Sequence, residues 1–210
     1  MGLFDKHFEA STMEELKAEW DTCTQCPFHV QRKNVVVGDG NPATAEVFAV
    51  GQTPGKDEDI EGIPFVGAGG IITKRQFQIH GVPDELMWWT NVLACMPFNY
   101  LKGAVRKSWM EHCWDRLDGE LRIVKPKFIV AMGRPAAVRF VPNLPAKGET
   151  RGKDFIYKGI PGRTIVHPAI LNRMQKKGPK DYAKALADVT DDMLTVKQRL
   201  IDLEIIKKDP

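Results

Sequence analysis

The sequence lacks the long apolar runs and the high cysteine content that would each define a special class of protein. None of its apolar stretches reaches the ~18–20 residues that a membrane-spanning helix needs. The first residues, MGLFDKHFEAS, include acidic side chains and no apolar segment, which argues against a secretory signal. Four cysteines in 210 residues are too few for a disulfide framework. These absences predict a soluble, cytoplasmic protein with no membrane partner.

Internal repeats, low-complexity tracts and linkers are absent as well. A chain of 210 residues that is 43% hydrophobic and 27% charged fits one compact domain with its own core. We therefore predict a single domain over residues 1–210, with an N-terminal helix within residues 1–20 and a closing helix over residues 180–205. We expect this domain to be a monomer.

The net charge is only +3, but it is distributed unevenly. Residues 1–62 contain 5 basic and 12 acidic side chains, whereas residues 96–153 contain 12 basic and 5 acidic ones. Residues 154–184 add 7 basic against 2 acidic side chains. Local positive potential attracts phosphate groups, so this distribution permits a nucleic-acid partner. Lysine-rich solvated helix faces would give the same pattern.

Strand-like and helix-like segments alternate along the chain. Strand patterns occur at 46–50, 88–94, 127–132 and 163–166, with a weak one at 154–158, and helical patterns occur at 69–80, 108–124 and from Pro135 through Phe140. This alternation predicts an α/β fold with at least four parallel strands and helices on both faces of the sheet. Residues 52–67 are predicted as a long loop. Ser11 and Glu14 match a capping box, which predicts a helix from Met13.

Polar side chains follow three of the predicted strands. Gln52, Asn91 and His167 each stand where a strand ends, and ligands bind outside the carboxyl ends of parallel strands. Two amides and an imidazole at one edge suit recognition of a flat polar heterocycle. Phe65, which lies among glycines that include Gly67, is placed to stack on such a ring. Structural roles in turns and core remain the alternative for each residue.

The four cysteines form a possible metal-binding set. Cys23 and Cys26 form a C-x-x-C step, and Cys95 and Cys113 stand alone. Four thiolates fit either a Cys₄ zinc site or an iron–sulfur cluster. A redox pair with two unrelated buried cysteines and four inert core cysteines are the other interpretations.

Several motifs together resemble those of the family 4, iron–sulfur uracil-DNA glycosylases, which belong to the uracil-DNA glycosylase superfamily. The resemblance runs from about residue 20 to residue 190. The motifs are GQTPGKDED at 51–59, GIPFVG at 62–67, NVLACMP at 91–97, HPA at 167–169, and the positions of the four cysteines.

The resemblance implies a three-layer α/β/α sandwich around a central four-stranded parallel sheet. It also implies a [4Fe–4S] cluster held by Cys23, Cys26, Cys95 and Cys113. The implied activity is DNA repair by hydrolysis of the N-glycosidic bond of uracil in DNA, with release of uracil and formation of an abasic site. The implied partner is therefore DNA containing uracil.

The resemblance also implies roles for individual residues. Phe65 would stack on the extruded uracil, Asn91 would hydrogen-bond its polar edge, and His167 would lie beside its O2 atom. The remaining expected substrate-binding and catalytic residues are Gly51, Gln52, Thr53 and Asp57, with the backbone of Gln52 and Thr53 holding the attacking water and Asp57 as the acidic candidate. The expected DNA-binding residues are Gly67 and, in a loop over 169–173 that enters the minor groove, Ala169, Asn172 and Arg173.

The chain departs from the family pattern at a few positions. Gln52 and Thr53 stand where the family usually has Glu-Ala, Met96 replaces a basic residue, and Asn172 replaces a leucine. Gln52 instead resembles the first motif of the classical uracil-DNA glycosylases, in which the next residue is a catalytic Asp. Thr53 stands at that place and cannot serve as a carboxylate base. The alternative function is therefore a catalytically weak or silent relative that binds uracil-containing or single-stranded DNA.

Overall fold

A computed structural model describes residues 10–97, 107–144 and 149–208. The strands are β1 (Val47–Gly51), β2 (Met87–Asn91), β3 (Phe128–Met132), β4 (Asp154–Tyr157) and β5 (Ile160–Ile165). The helices are α1 (Met13–Asp21), α2 (Lys56–Glu61), α3 (Ala68–Ile79), α4 (Lys107–His112), α5 (Trp114–Val124), α6 (Gly133–Phe140), α7 (Ile170–Gln175) and α8 (Pro179–Asp202). In the described ranges, no helix has the length and apolar character to cross a membrane.

One sheet of five strands, in the order β2-β1-β3-β5-β4, forms the centre of the fold. β2, β1, β3 and β5 are parallel, as predicted, but β4 adds a fifth, antiparallel strand beside β5. The prediction of a four-stranded sheet was therefore incomplete. Lys158 and Gly159, with φ of 48° and 84°, form the two-residue turn between β4 and β5. Such a turn joins antiparallel neighbours.

Helices cover both faces of the sheet. Phe48 and Val50 of β1 point into a buried cluster that includes side chains of α1, α5 and α6. Val47 and Ala49 point the other way, into a cluster that includes side chains of α3, α7 and α8. All five residues of β1 are buried, as expected for a parallel strand between two helical layers.

The segment predicted as one helix over 108–124 is two helices. α4 ends at His112, and α5 begins after Cys113, which is its N-cap residue. This break places the Cys113 thiol at the start of α5, where it is buried. The periodicity of apolar residues continues across the break, so it did not signal the interruption.

The capping box of α1 lies one residue later than the sequence pattern predicted. Thr12, rather than Ser11, is the N-cap residue, and its Oγ1 accepts a hydrogen bond from Glu15 N at 3.2 Å. The Glu15 carboxylate in turn accepts from the backbone N–H groups of Ser11 and Thr12.

We expect Thr12→Ala to lower the free energy of unfolding by about 1 kcal/mol, the usual cost of losing an N-cap side chain. Ser11→Ala is the matched control and should change it less, because the Ser11 hydroxyl hydrogen-bonds to the exposed Glu15 side chain, whereas the Thr12 hydroxyl accepts from a backbone N–H group of the helix. Urea unfolding of the two variants measures the difference. A larger loss for Ser11→Ala would contradict this assignment of the cap.

Candidate active site

A cavity of about 290 Å³ opens beyond the carboxyl ends of β1, β2 and β5. It is lined by many of the residues predicted to bind substrate or DNA, namely Thr53, Asp57, Phe65, Gly67, Asn91, His167 and Ala169. The remaining lining comes from α2 and the glycine-rich start of α3. Of the three residues predicted to converge at the strand ends, Asn91 and His167 therefore line one cavity, whereas Gln52 does not.

The backbone of Gly51 is the point at which the cavity's side chains meet. A methyl group placed on Gly51 would lie 2.4 Å from Asn91 Oδ1, 2.9 Å from Phe65 Cζ and 3.3 Å from His167 Nε2. Any side chain at position 51 would occupy the space between these groups. Gly51 thus contributes to the site by having no side chain.

The aromatic ring of Phe65 is held in place by its backbone and by its neighbours. Phe65 has a φ of 59°, which is uncommon for a residue with a side chain. A Cβ atom on Gly70 would lie 2.3 Å from the Phe65 backbone, so only glycine allows this approach. The ring packs on Trp89 at 5.2 Å and lies nearly parallel to His167 at 6.2 Å between centroids.

Asn91 ends β2 directly opposite Gly51 in the parallel register. The pairing continues beyond the strand, because Val92 N donates to Gly51 O at 3.1 Å and Leu93 N donates to Gln52 O at 3.0 Å. Asn91 is only 4% exposed. Its amide is therefore fixed at the inner wall of the cavity.

His167 is a neutral imidazole that presents an N–H group to the cavity. Burial lowers its pKa from 6.5 to about 4. Its Nδ1 atom lies 3.3 Å from the backbone N–H of Ala169, which donates to it. Because Nδ1 accepts, the ring proton is on Nε2, the nitrogen that faces Gly51.

The backbone just before His167 is fixed by α8. The buried Asp192 carboxylate accepts a hydrogen bond from Val166 N at 2.8 Å and pairs with Arg151 Nε at 2.9 Å. Burial is the largest influence on the pKa of Asp192 and raises it. No sequence pattern indicated this role, because Asp192 lies within a long amphipathic helix.

The acidic run after β1 lies within the stretch predicted as a long loop over 52–67, and this prediction was wrong for its middle part. Residues 56–61 form α2, in which Glu58 and Asp59 are buried. Glu58 accepts hydrogen bonds from Gly55 N at 2.9 Å and Gly67 N at 3.0 Å. Its carboxylate therefore joins the two loops at the mouth of the cavity. Asp57 is the exposed carboxylate of the run and lines the cavity.

Three predicted residues lie at or beyond the margin of the cavity. Gln52 is half-buried and is not among the lining residues. Asn172 and Arg173 belong to α7, which begins at Ile170, so the segment expected to be a loop over 169–173 is mostly helical. Arg173 is exposed on this helix.

The four cysteines lie close together, although they come from distant parts of the chain. Each thiol interacts electrostatically with at least one of the others, and none forms a disulfide. Burial raises the pKa of Cys95 to about 11 and that of Cys113 to about 12. Arg32 opposes this effect at Cys95, because its Nη1 lies 3.5 Å from Cys95 Sγ and also donates to Cys23 O.

The arrangement of these thiols is not that of a single-ion site. Within the parts of the chain that the structure describes, no three Cys, His, Asp or Glu side chains are grouped so that they could hold one metal ion. Hydrogen-bond donors nevertheless surround the sulfurs, since Cys26 interacts with the backbone of Phe28 and Cys113 with that of Ala94.

These features together define a class of protein. A mostly parallel α/β sheet that presents an aromatic ring, an amide and an imidazole at its carboxyl edge is suited to bind a flat polar base. Residues 37–190 match the sequence model of the uracil DNA glycosylase superfamily. The chain belongs to this superfamily.

Curated relatives are similar over most of the chain. A type-4 uracil-DNA glycosylase of Sulfurisphaera tokodaii is 33% identical over 75% of this chain and 72% of its own length. The type-4 enzyme of Thermotoga maritima is 34% identical over 77% of this chain and 83% of its own length. The type-4 uracil-DNA glycosylase of Pyrobaculum aerophilum is 34% identical over 79% of this chain and 86% of its own length.

The low pKa of His167 predicts a specific dependence of stability on pH. Between pH 6.5 and about 4, the unfolded chain binds a proton at this residue and the folded protein does not. The free energy of unfolding should therefore fall as the pH decreases through this window, by up to about 1.4 kcal/mol per pH unit. Above pH 6.5 this group should have no effect.

The variant His167→Gln should lose this contribution, since glutamine does not titrate. Urea unfolding of the wild type and the variant, at pH values from about 4 to above 6.5, measures how the free energy of unfolding depends on pH. A free-energy difference between them that does not change with pH would show that His167 is not held in its neutral form.

Proposed function

We propose that this protein is a type-4 uracil-DNA glycosylase that binds a uracil extruded from DNA and hydrolyses its N-glycosidic bond. The observation that carries this proposal is the meeting of Asn91, Phe65 and His167 around the bare backbone of Gly51. The activity of the type-4 uracil-DNA glycosylases to which the chain is similar and the superfamily match support the same function.

A base within a duplex is inaccessible, so the nucleotide must leave the stack at a cost of a few kcal/mol. Stacking on the Phe65 ring would recover ~1–3 kcal/mol of this cost. The basic segments around the cavity, including Arg173 on α7, would attract the flanking phosphates. Gly67 and Ala169 at the cavity wall and Asn172 on α7 would contact the strand beside the extruded nucleotide.

Asn91 would select uracil by hydrogen bonding. Its Oδ1 would accept from the N3–H group of uracil, and its Nδ2 would donate to O4. Cytosine presents an acceptor at N3 and a donor at position 4, so both contacts would be lost. A buried site built to pair such groups rejects a base that leaves them unpaired.

His167 would stabilise the departing uracil. When the bond between C1′ and N1 breaks, the sugar becomes cationic and the uracil becomes anionic. The Nε2–H group of neutral His167 would donate to O2, where negative charge develops. A donor aimed at developing charge in a site that excludes water is usually the largest catalytic contribution.

Water would then add to C1′ and release a proton, which yields the abasic sugar. Thr53 and the exposed Asp57 line the cavity, where the Thr53 and Gln52 backbone would orient this water and Asp57 would take up its proton. Glu58 is unsuited to that role, because its carboxylate binds two backbone N–H groups.

We further propose that Cys23, Cys26, Cys95 and Cys113 hold a [4Fe–4S] cluster. A zinc ion would require four sulfurs at about 2.3 Å from one point. Among the described residues the thiols form no group that could hold one ion, and four cysteine thiolates are the ligands that would hold an iron–sulfur cluster. Arg32 and the nearby backbone donors fit this group, because hydrogen bonds to the sulfurs stabilise its negative charge. The cluster would supply a structural cross-link.

The activity is tested with a single-stranded oligonucleotide that carries one uracil, followed by alkali, which cleaves abasic sites. We expect cleavage by the wild-type protein and a ~10²–10³-fold slower reaction for His167→Ala, the usual cost of losing one such donor. Asn91→Ala should also be slower and should discriminate less between uracil and cytosine.

His80→Ala and Asn41→Ala are matched controls, because these residues lie at the end of α3 and in the turn before β1. Both controls should retain activity. A shift in electrophoretic mobility without cleavage would identify a binding protein instead. Equal cleavage by the wild type, His167→Ala and Asn91→Ala would refute the site assignment.

The cluster is tested by composition and stability. We expect the anaerobically purified protein to be brown, with iron and sulfide in equal amounts. Cys113→Ser should reduce the iron content and lower the melting temperature, since Cys113 anchors the start of α5. A colourless protein that contains zinc, or full thermal stability without iron, would contradict the proposal.

A further inference from the structure

Arg116 of α5 is a charged side chain with no exposure to solvent. Its guanidinium donates to three consecutive residues at the end of β2: Nη1 to Thr90 Oγ1 at 3.2 Å, and Nη2 to Asn91 O and, at 3.4 Å, to Val92 O. Nη1 also pairs with Glu120 Oε1 one turn further along α5. Arg116 thus joins α5 to the strand end that carries Asn91.

The partner carboxylate extends this network to a third segment. Glu120 is equally buried, and it accepts hydrogen bonds from Trp88 Nε1 at 3.1 Å and from Gly38 N at 3.0 Å. The negative charge of Glu120 compensates the positive charge of Arg116, and the ion pair fixes the orientation of the guanidinium plane.

A buried ion pair of this kind is a weak source of stability. Removing two charges from water costs several kcal/mol per ion, and apolar residues of similar volume often stabilise a protein equally well. The network therefore calls for another explanation. Its distinguishing feature is the set of acceptors at Thr90, Asn91 and Val92.

The topology explains why this strand end needs a support. β2 is the edge strand of the sheet in the described part of the chain, where β1 is the one strand that pairs with it along its full length. On the outer side, Asp39 pairs with Trp89, and Val36 N donates to Ala94 O. Between these two contacts, the carbonyl of Asn91 is bound by Arg116.

We propose that Arg116 is a positioning residue for Asn91, which it holds at the depth and angle at which the amide reads the base. This inference rests on the proposed function, in which Asn91 selects uracil. A displacement of about 1 Å at such a contact can cost ~10²-fold in rate. Cys113 is the N-cap residue of α5. The hydrogen bond from Arg116 to the Asn91 carbonyl therefore also connects Asn91 with the helix that carries one of the four cysteines.

The test is a double-mutant cycle on uracil release. Arg116→Met keeps most of the side-chain volume and removes the donors. We expect it to lower kcat/KM for uracil ~10–100-fold and to reduce the preference for uracil over cytosine. In an Asn91→Ala background, Arg116→Met should cause almost no further loss, because the residue it positions is already absent.

Two further variants keep the test decisive. Arg116→Lys retains the charge and one donor nitrogen in place of the guanidinium fork, and it should recover part of both activity and preference, even if Arg116→Met is too unstable to purify. Leu117→Ala removes a buried side chain from the same helix. It should lower the melting temperature but leave the ratio of uracil to cytosine release unchanged.

The possible outcomes separate this inference from the proposed function. Equal losses from Arg116→Met with and without Asn91, or an unchanged base preference, would overturn the positioning role alone. Full uracil release by Asn91→Ala would instead overturn the assignment of Asn91 on which the inference rests. Non-additive losses from Arg116→Met and Asn91→Ala, together with partial recovery in Arg116→Lys, would establish the positioning role of Arg116.

Discussion

The site depends on the close approach of three side chains to the backbone of one residue in β1. Asn91, Phe65 and His167 come from separate parts of the sequence, yet each lies within van der Waals distance of the place where a Gly51 side chain would be. Parallel pairing of β1 with β2 sets the position of Asn91. The left-handed backbone of Phe65 brings its ring to the same point. A slot for a planar ring results because β1, which lies between β2 and β3, ends in glycine.

Buried carboxylates fasten the loops around this slot. Glu58 binds the backbone N–H groups of Gly55 and Gly67, and Asp192 binds that of Val166. Asp59 binds the N–H of Lys33, in the segment that follows the C-x-x-C step. In each case a carboxylate on a helix orders an irregular segment. Charge-assisted hydrogen bonds of this type are stronger than neutral ones, so the loops need little regular structure of their own.

Sequence patterns predicted the parts of this structure that depend on short-range order. The parallel strands, the edge of the sheet, and the placement of Asn91 and His167 there follow from strand patterns and the polar residues at strand ends, whereas Phe65 was predicted from its position among glycines. The strand patterns did not predict that β4 is antiparallel to β5, although the Lys158-Gly159 turn was a local signal for a hairpin. The roles of Glu58, Arg116 and Asp192 depend on tertiary contacts with backbone groups far away in the chain, and no spacing in the sequence encodes such contacts. The loop between β1 and Phe65 was misjudged for the same reason, because the burial of Glu58 and Asp59 turns an acidic run into part of the scaffold.

The absence of a carboxylate at position 53 is compatible with the proposed chemistry. If the glycosidic bond breaks before water attacks, the barrier depends mainly on stabilising the uracil anion, and the water needs only to be oriented. In the proposed site, the neutral tautomer of His167 would supply an N–H donor without adding a cation beside the cationic sugar, whereas an imidazolium would oppose the positive charge that forms on the sugar. Burial keeps the pKa of His167 near 4, so the donor is neutral throughout the physiological range. The catalytic demand thus falls on the leaving-group side of the cavity, and Thr53 can replace an acidic residue on the water side at a limited cost in rate.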